Sequence, residues 1–303
     1  MDTKLLEDFL SLAETGSFTR SAQFRHMTQP AFSRRIQALE EWVGADLIDR
    51  TVYPPRLTAA GELFRTHAAS IVEALRAARA QVRGQKPLPA ASLAFALPHA
   101  LALSFFPKWL SQIRQGFGAL PCRLEAGNVH DAVLAFVEGE CDLLLCYHHP
   151  AQPVELERRR YPGLVLGVER LLPFSACDGG GAPRYALPGE PGRPLPYLGY
   201  SAGAYLRRIA DLILARSAAP CHLEQCYEND MAEGLKNMVL EGHGVAFLPE
   251  STVARELAQG QLAPAGDAAW GEALGIHLYR DARRAKPAQD ALWAFLAARY
   301  PAV

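Results

Sequence analysis

Gln29, Ser33, Arg34 and Gln37 share one side of a helical projection, and the other side of the stretch is apolar through Phe32, Ile36, Leu39 and Val43. Short or planar donors and acceptors of this kind match base-pair edges and the phosphates that flank a major groove. Thr28 stands where a helix N-cap is expected. Pro30 is tolerated in a first turn, where its missing N–H has no intrahelical partner. From Thr15 through Leu39 the chain carries four arginines (Arg20, Arg25, Arg34, Arg35) and no acid, so the local charge suits a polyanion. Just upstream, Ser17 is placed to cap a short segment from Phe18 to His26 that packs through Ala22 and Phe24. Two short helices joined tightly, the second with a polar outer face, predict a helix-turn-helix that reads double-stranded DNA.

A second group of candidates lies where strand-like runs give way to helix-like ones. In parallel α/β sheets, ligands bind at the carboxyl ends of strands, where helix N-termini offer free N–H groups. That rule selects Leu97 to Ala100, Asn128 to His130, Tyr147 to His149, Tyr200 to Gly203 and Tyr227 to Asp230, and within them His99, Ala100, Asn128, His148, Tyr200, Ser201 and Asp230 are the candidate contacts. Ser201, with a helix behind it, is the best placed of these to hold a carboxylate or another anion. Gly199-Tyr200-Ser201-Ala202-Gly203 also spells the Gly-x-Ser-x-Gly elbow of serine hydrolases. Asp230 or Asp267 with His243 or His277 would complete the required order. A hydrolase has no use for a DNA-reading head, so this is the runner-up reading, and no enzyme activity is expected.

Six cysteines (Cys122, Cys141, Cys146, Cys177, Cys221, Cys226) show neither a Cys-x-x-Cys pair nor metal-ligand spacing. Most are expected to be buried small hydrophobes, and neither a metal nor a cofactor is implied.

The elements that must position these residues are legible in the periodicity. Leu5, Leu6, Phe9, Leu10, Leu12 and Ala13 form the apolar side of a first helix. Thr58 is placed to cap a long helix to about Arg83. Within it Phe64, Ala68, Ile71, Leu75, Ala78 and Val82 alternate by four and three, and Arg65, Arg76 and Arg79 flank that seam and narrow it. The pattern predicts a coiled-coil contact between two copies. Gly84 to Pro89 breaks the helix as a hinge.

Beyond the hinge, 92–97, 122–126, 142–146, 164–168, 195–200, 222–227, 244–248 and 275–279 read as strands. The segments 106–115, 129–138, 204–216, 231–241, 250–258 and 287–298 read as helices, an α/β alternation with parallel sheets.

With 303 residues, half of them hydrophobic, the chain is long enough for two or three domains with real cores. A net charge of −1 excludes a polybasic nucleic-acid coat, so any DNA affinity must be local. No apolar run reaches membrane-spanning length, and the opening residues lead straight into an amphipathic helix; a cytoplasmic protein without membrane contact is expected.

Ala13-Glu14-Thr15-Gly16-Ser17-Phe18-Thr19-Arg20-Ser21-Ala22, Thr28 to Ile36, Leu39-Glu40, Gly44 to Arg50 and Leu57-Thr58-Ala59-Ala60-Gly61 closely resemble the amino-terminal domain of LysR-type transcriptional regulators. The match is nearly gapless over about the first 60 residues. Further on, 142–146 and Glu241 to Pro249 are similar to that family too. The resemblance implies an α/β protein with a winged helix-turn-helix at 1–58, a dimerising linker helix and hinge at 59–90, and a periplasmic-binding-protein-like effector domain at 91–303. It divides that domain into lobe I, 91–165 with 269–303, and lobe II, 166–268, whose strand-end loops face each other across a cleft. Arg50 to Leu57 becomes the wing.

The implied DNA contacts are Thr19, Ser21, Thr28, Gln29, Pro30, Ser33, Arg34 and Arg35, with Arg50 and Arg56 on phosphates or in the minor groove. Implied partners are an operator, RNA polymerase, a small effector or an oxidant, and further copies of the chain as homodimer or homotetramer. His99 to Leu103, Tyr200-Ser201 with Tyr205, and Asp230 to Lys236 look most like the hypochlorite-responsive members, which adds Tyr205 to the effector candidates.

Overall fold

The structure, a computed structural model, describes residues 2–25, 27–52, 54–82, 92–217, 220–284 and 286–303. It divides into two compact units, Met1–Pro87 and Leu88–Val303. The expected hinge at Gly84 to Pro89, and the side chains of Phe24, Arg76, Arg79 and Val82, lie outside the described residues.

In the smaller unit α1 (Thr3–Thr15) is capped by the Asp2 carboxylate, which accepts from the Lys4 N–H, and ends at left-handed Gly16. Then follow α2 (Phe18–Phe24) and α3 (Gln29–Val43). Ser17 caps α2 as expected, its hydroxyl accepting from the Arg20 N–H at 3.3 Å. Thr28 occupies the N-cap of α3, but its side chain makes no capping bond. Strands β1 (Ile48–Asp49) and β2 (Arg56–Leu57) pair antiparallel as the wing. Thr58 caps the long α4 (Ala59–Val82) through the Gly61 N–H at 3.0 Å. Gly61 is needed at that turn, because a Cβ there would stand 2.1 Å from the Leu47 carbonyl oxygen.

Leu6, Phe9, Ala22, Phe32, Ile36, Leu39 and Leu47 form the core of this unit, each about 1.5–3 kcal/mol of burial for the larger side chains. Phe64, Ala68 and Val72 of α4 join the same core, with Phe64 edge-on to Phe9 at 5.4 Å. The predicted seam is therefore divided. Its Phe64 and Ala68 pack within the chain, while Ile71 and Leu75 stay 42% and 46% exposed.

The larger unit is built on a seven-stranded sheet. Its strands are β3 (Leu93–Pro98), β4 (Cys122–Gly127), β5 (Leu143–His148), β6 (Gly163–Ala176), β9 (Ala246–Pro249), β10 (Leu262–Pro264) and β11 (Glu272–Arg280). The order is β10-β6-β11-β5-β3-β4, with β9 also on β6. Strands β7 (Leu195–Tyr200) and β8 (Leu223–Asn229) pair parallel in a small second sheet. Helices α5 (Phe106–Phe117), α6 (Val129–Val137), α7 (Tyr205–Arg216), α8 (Ala232–Leu240), α9 (Glu250–Ala258) and α10 (Pro287–Ala297) cover the sheets.

The expectation of parallel sheets is corrected here. Only β3, β4 and β5 run parallel in the large sheet, whereas β11 is antiparallel to both β5 and β6. Strand β6, expected to stop near Val168, continues to Ala176. Its first half pairs with β11 and its second with β9 and β10, so one extended segment serves both halves of the unit.

Candidate DNA interface and effector cleft

Helix α3 presents Thr28, Gln29, Pro30, Arg34 and Gln37 to solvent, with Ser33 partly exposed, because Phe32, Ile36 and Leu39 are fully buried on the opposite side. Thr19 at the start of α2 is exposed beside them. Arg56 is exposed on the wing.

Three other candidate contacts are held by the protein itself. Ser21 is fully buried, its hydroxyl 2.6 Å from that of Thr15, which removes it from the surface. Arg35 lies 2.7 Å from Asp8, close enough for ion pairing, though its Nε is not aligned on Oδ2 as a hydrogen bond. Arg50 donates to Glu40 at 2.5 Å and lies over the Phe18 ring at 5.7 Å.

Asp8 and Glu40 are the residues that sequence reading passed over. Asp8, fully buried in α1, pairs with Arg25 of the turn after α2 and with Arg35 of α3, so one carboxylate ties three elements. Burial pushes its carboxyl above the usual range, against the opposing pull of Arg25 and Arg35. Glu40 accepts from the Leu47 and Ile48 N–H groups at 2.9 and 3.0 Å with one oxygen and from Arg50 with the other, which sets the base of the wing. Acids on otherwise apolar helix faces were the available signal.

In the larger unit, register brings the candidates together in pairs. Pro98 pairs with Gly127, so His99 and Asn128 follow adjacent strand ends. Tyr200 pairs with Asn229, so Ser201 and Asp230 do the same. His99 and Ser201 are partly exposed and Asn128 and Asp230 exposed, whereas Ala100 is buried. Asn128 is occupied locally: it caps α6 by accepting from the Asp131 N–H at 2.9 Å and donates to the Asp131 carboxylate. The Ser201 N–H donates to the Asn229 carbonyl at 3.1 Å. Among the described residues, His99 makes no hydrogen bond to Ser201.

Tyr200 and Tyr205 are buried rather than free on a cleft wall. The Tyr205 ring stacks on Tyr147 at 6.4 Å and 15°, and its hydroxyl donates to the Gln152 carbonyl at 3.1 Å. These contacts join the start of α7 to the end of β5. His148 is turned to the other face of the sheet, where it stacks on His277 at 4.4 Å and 10°. Two further ties cross between the halves. The Ser251 hydroxyl at the start of α9 lies 2.9 Å from that of Ser104, and Arg216 pairs with Glu272 at 2.6 Å. Sequence reading selected the strand end at Tyr147 to His149 but missed Glu169, an acid inside the apolar run of β6.

The hydrolase elbow forms only in outline. Among the described residues, Ser201 has no histidine hydrogen-bonded to it, and His277 is spent on His148 and on the Tyr279 hydroxyl, 3.0 Å from its Nδ1. All six cysteines are free. Cys141 and Cys146 are buried with thiols pushed well up by desolvation, but Cys226 is exposed and the other three are intermediate, so the expectation of mostly buried thiols is corrected. No helix of the described residues is long and apolar enough to cross a membrane, and no metal-binding group of His, Cys, Asp or Glu occurs among them.

A winged helix-turn-helix followed by a two-part α/β unit defines a DNA-binding regulator with a ligand-type domain. Residues 3–62 match the bacterial regulatory helix-turn-helix protein model of the lysR family, and residues 87–301 match the LysR substrate binding domain. The chain belongs to the LysR family of transcriptional regulators.

It is 30% identical over 293 residues to the HTH-type transcriptional regulator YjiE of Escherichia coli K12, covering 97% of this chain and 93% of that one. Among solved structures it is similar to Vibrio fischeri DarR in complex with DNA, at 33% identity and TM-score 0.61 over 98% of each chain. It is also similar to full-length HypT of Salmonella typhimurium, a hypochlorite-specific LysR-type regulator, at 30% identity and TM-score 0.60 over 98% of each chain. The protein is thus a DNA-binding transcriptional regulator with an effector-binding domain, and the serine hydrolase reading finds no support.

Proposed function

We propose that the chain acts as a homodimer or homotetramer whose heads read two half-sites of one operator, and that a signal in the cleft between the lobes sets promoter activity. The exposed face of α3 carries the DNA half of this reading. Gln29, Ser33 and Arg34 meet base edges there, and Thr19, Thr28, Pro30 and Arg56 lie along the backbone path. Residues 1–58, 59–90 and 91–303 serve as head, linker and effector domain. Exposed Ile71 and Leu75 on α4 supply the contact between copies. RNA polymerase is the partner at the promoter, and no reaction is catalysed.

On the effector side, Ser201 and His99 follow strand ends in opposite lobes. A ligand touching both favours one lobe angle, by as much as its affinity differs between the two angles. Ser201→Ala and His99→Ala are expected to leave operator binding nearly intact while blunting the transcriptional response in a reporter strain. A response that survives both changes and disappears when Met231, Met238 or a cysteine is replaced would instead assign the signal to oxidation, in line with the likeness to HypT.

A further inference from the structure

Among the described residues, two polar groups where the lobes meet lack a partner and a third lacks a counter-charge. Tyr147 on β5 and Tyr200 on β7 are 0% and 1% exposed, and neither hydroxyl has a hydrogen-bond partner among the described residues. Buried hydroxyls are nearly always bonded, so two orphans in one region call for an explanation. Glu169 on β6 is the third, 5% exposed. Its carboxylate accepts from the Ser251 hydroxyl, the Ser251 N–H at 3.2 Å and the Arg170 N–H at 3.0 Å. Among the described residues no lysine or arginine is paired with it.

Register places these groups together. On β11, Leu274 pairs with Glu169 and Ile276 with Tyr147, two positions apart and therefore on the same face. Glu169 and Tyr147 thus flank β11 on the side toward α7. Burial, then the Glu169 charge and Tyr200, push the Tyr147 hydroxyl up, and burial, then Tyr197, push up that of Tyr200. An anion entering here would meet a buried carboxylate without a counter-charge, which is costly.

We infer that the effector carries a protonated nitrogen, received by Glu169 and steered by the hydroxyls of Tyr147 and Tyr200. This rests on the cleft being the effector site. It reverses the charge expected from Ser201 alone, leaving Ser201 and the start of α7 for any carboxylate at the ligand's other end. The hydroxyls are closed off in the present arrangement, so entry requires the lobes to part at the Ser104–Ser251, Tyr205–Gln152 and Arg216–Glu272 ties.

Benzylamine, benzamide and benzoate, titrated into the full-length protein by calorimetry and ligand-observed NMR, share a ring and differ in charge. Benzylamine is expected to bind at least tenfold more tightly than benzoate, with Glu169→Gln abolishing the preference and Tyr147→Phe weakening the amine several-fold. Equal or tighter benzoate binding, no binding of the amine, or an amine affinity indifferent to both substitutions would overturn the inference. Tyr147→Phe and Tyr200→Phe raising the unfolding midpoint with unchanged amine binding would also overturn it, marking the hydroxyls as packing defects. Should Glu169→Gln not fold, Tyr147→Phe alone decides between these outcomes. A charge preference found alongside an unaltered reporter response in Ser201→Ala and His99→Ala would retire the signalling reading and leave this one standing.

Discussion

The Asp8 carboxylate, fully buried in α1, lies 2.7 Å from the Nε of Arg35 on α3. Its other oxygen accepts from the Nε of Arg25 at the same distance. Two adjacent arginines of α3 are therefore placed differently: Arg35 is turned inward against the buried carboxylate of α1, and Arg34 is left exposed.

Arg34→Ala is expected to cost roughly 1–3 kcal/mol of specific operator binding without changing the stability of the head. Arg35→Ala is expected to do the reverse, lowering stability by roughly 1–3 kcal/mol, since Asp8 keeps Arg25 and the Arg35 site is partly solvated. Gel-shift titration and urea unfolding of both variants check this. An operator defect in Arg35→Ala without a stability loss would break the division.

The wing makes a related prediction about salt. Arg56→Ala is expected to weaken all DNA sequences evenly and reduce the salt slope by about one. Arg50→Ala should also lower stability, because Arg50 is the cation held by buried Glu40. Measuring affinity across a salt series, alongside thermal unfolding, separates the two arginines.

On α4, Ile71→Asp is expected to yield monomers in light scattering while the head stays folded, since Ile71 is 42% exposed within one chain. Ala68→Asp, one turn earlier and fully buried, should instead unfold the head. A full-strength dimer from Ile71→Asp would move the contact between copies elsewhere.

Burial, and then neighbouring His148, push the His277 imidazole down from 6.5 to about 4. A histidine kept neutral in the fold binds fewer protons than in the unfolded chain between those values. Its contribution is thus complete above pH 6.5 and is lost as pH falls toward 4, a span worth about 3 kcal/mol. Urea midpoints at pH 7 and 4.5 should converge more for His277→Gln than for the unchanged protein. Equal pH slopes in the two would rule out His277 as the source.

Periodicity and caps were enough to locate most elements, because helix and strand formation is decided by local spacing. The α3 stripe, the start of α4 at Thr58, and the strands from Leu93 and Leu195 all form where the residues place them. The family was equally legible, since its motifs are runs of neighbouring residues.

What local spacing does not carry is which surface covers which. Phe64 and Ile71 belong to one seam in the sequence, and only packing against Phe9 draws the first into the head and leaves the second outside. In the sequence Ser21, Arg35 and Arg50 carry no sign of a partner, and only the meeting of separate helices brings Thr15, Asp8 and Glu40 against them. The grouping of the buried acid with the tyrosines arises the same way. Glu169, Tyr147 and Tyr200 are far apart in the chain, and β11, lying between β5 and β6, puts the first two on one face.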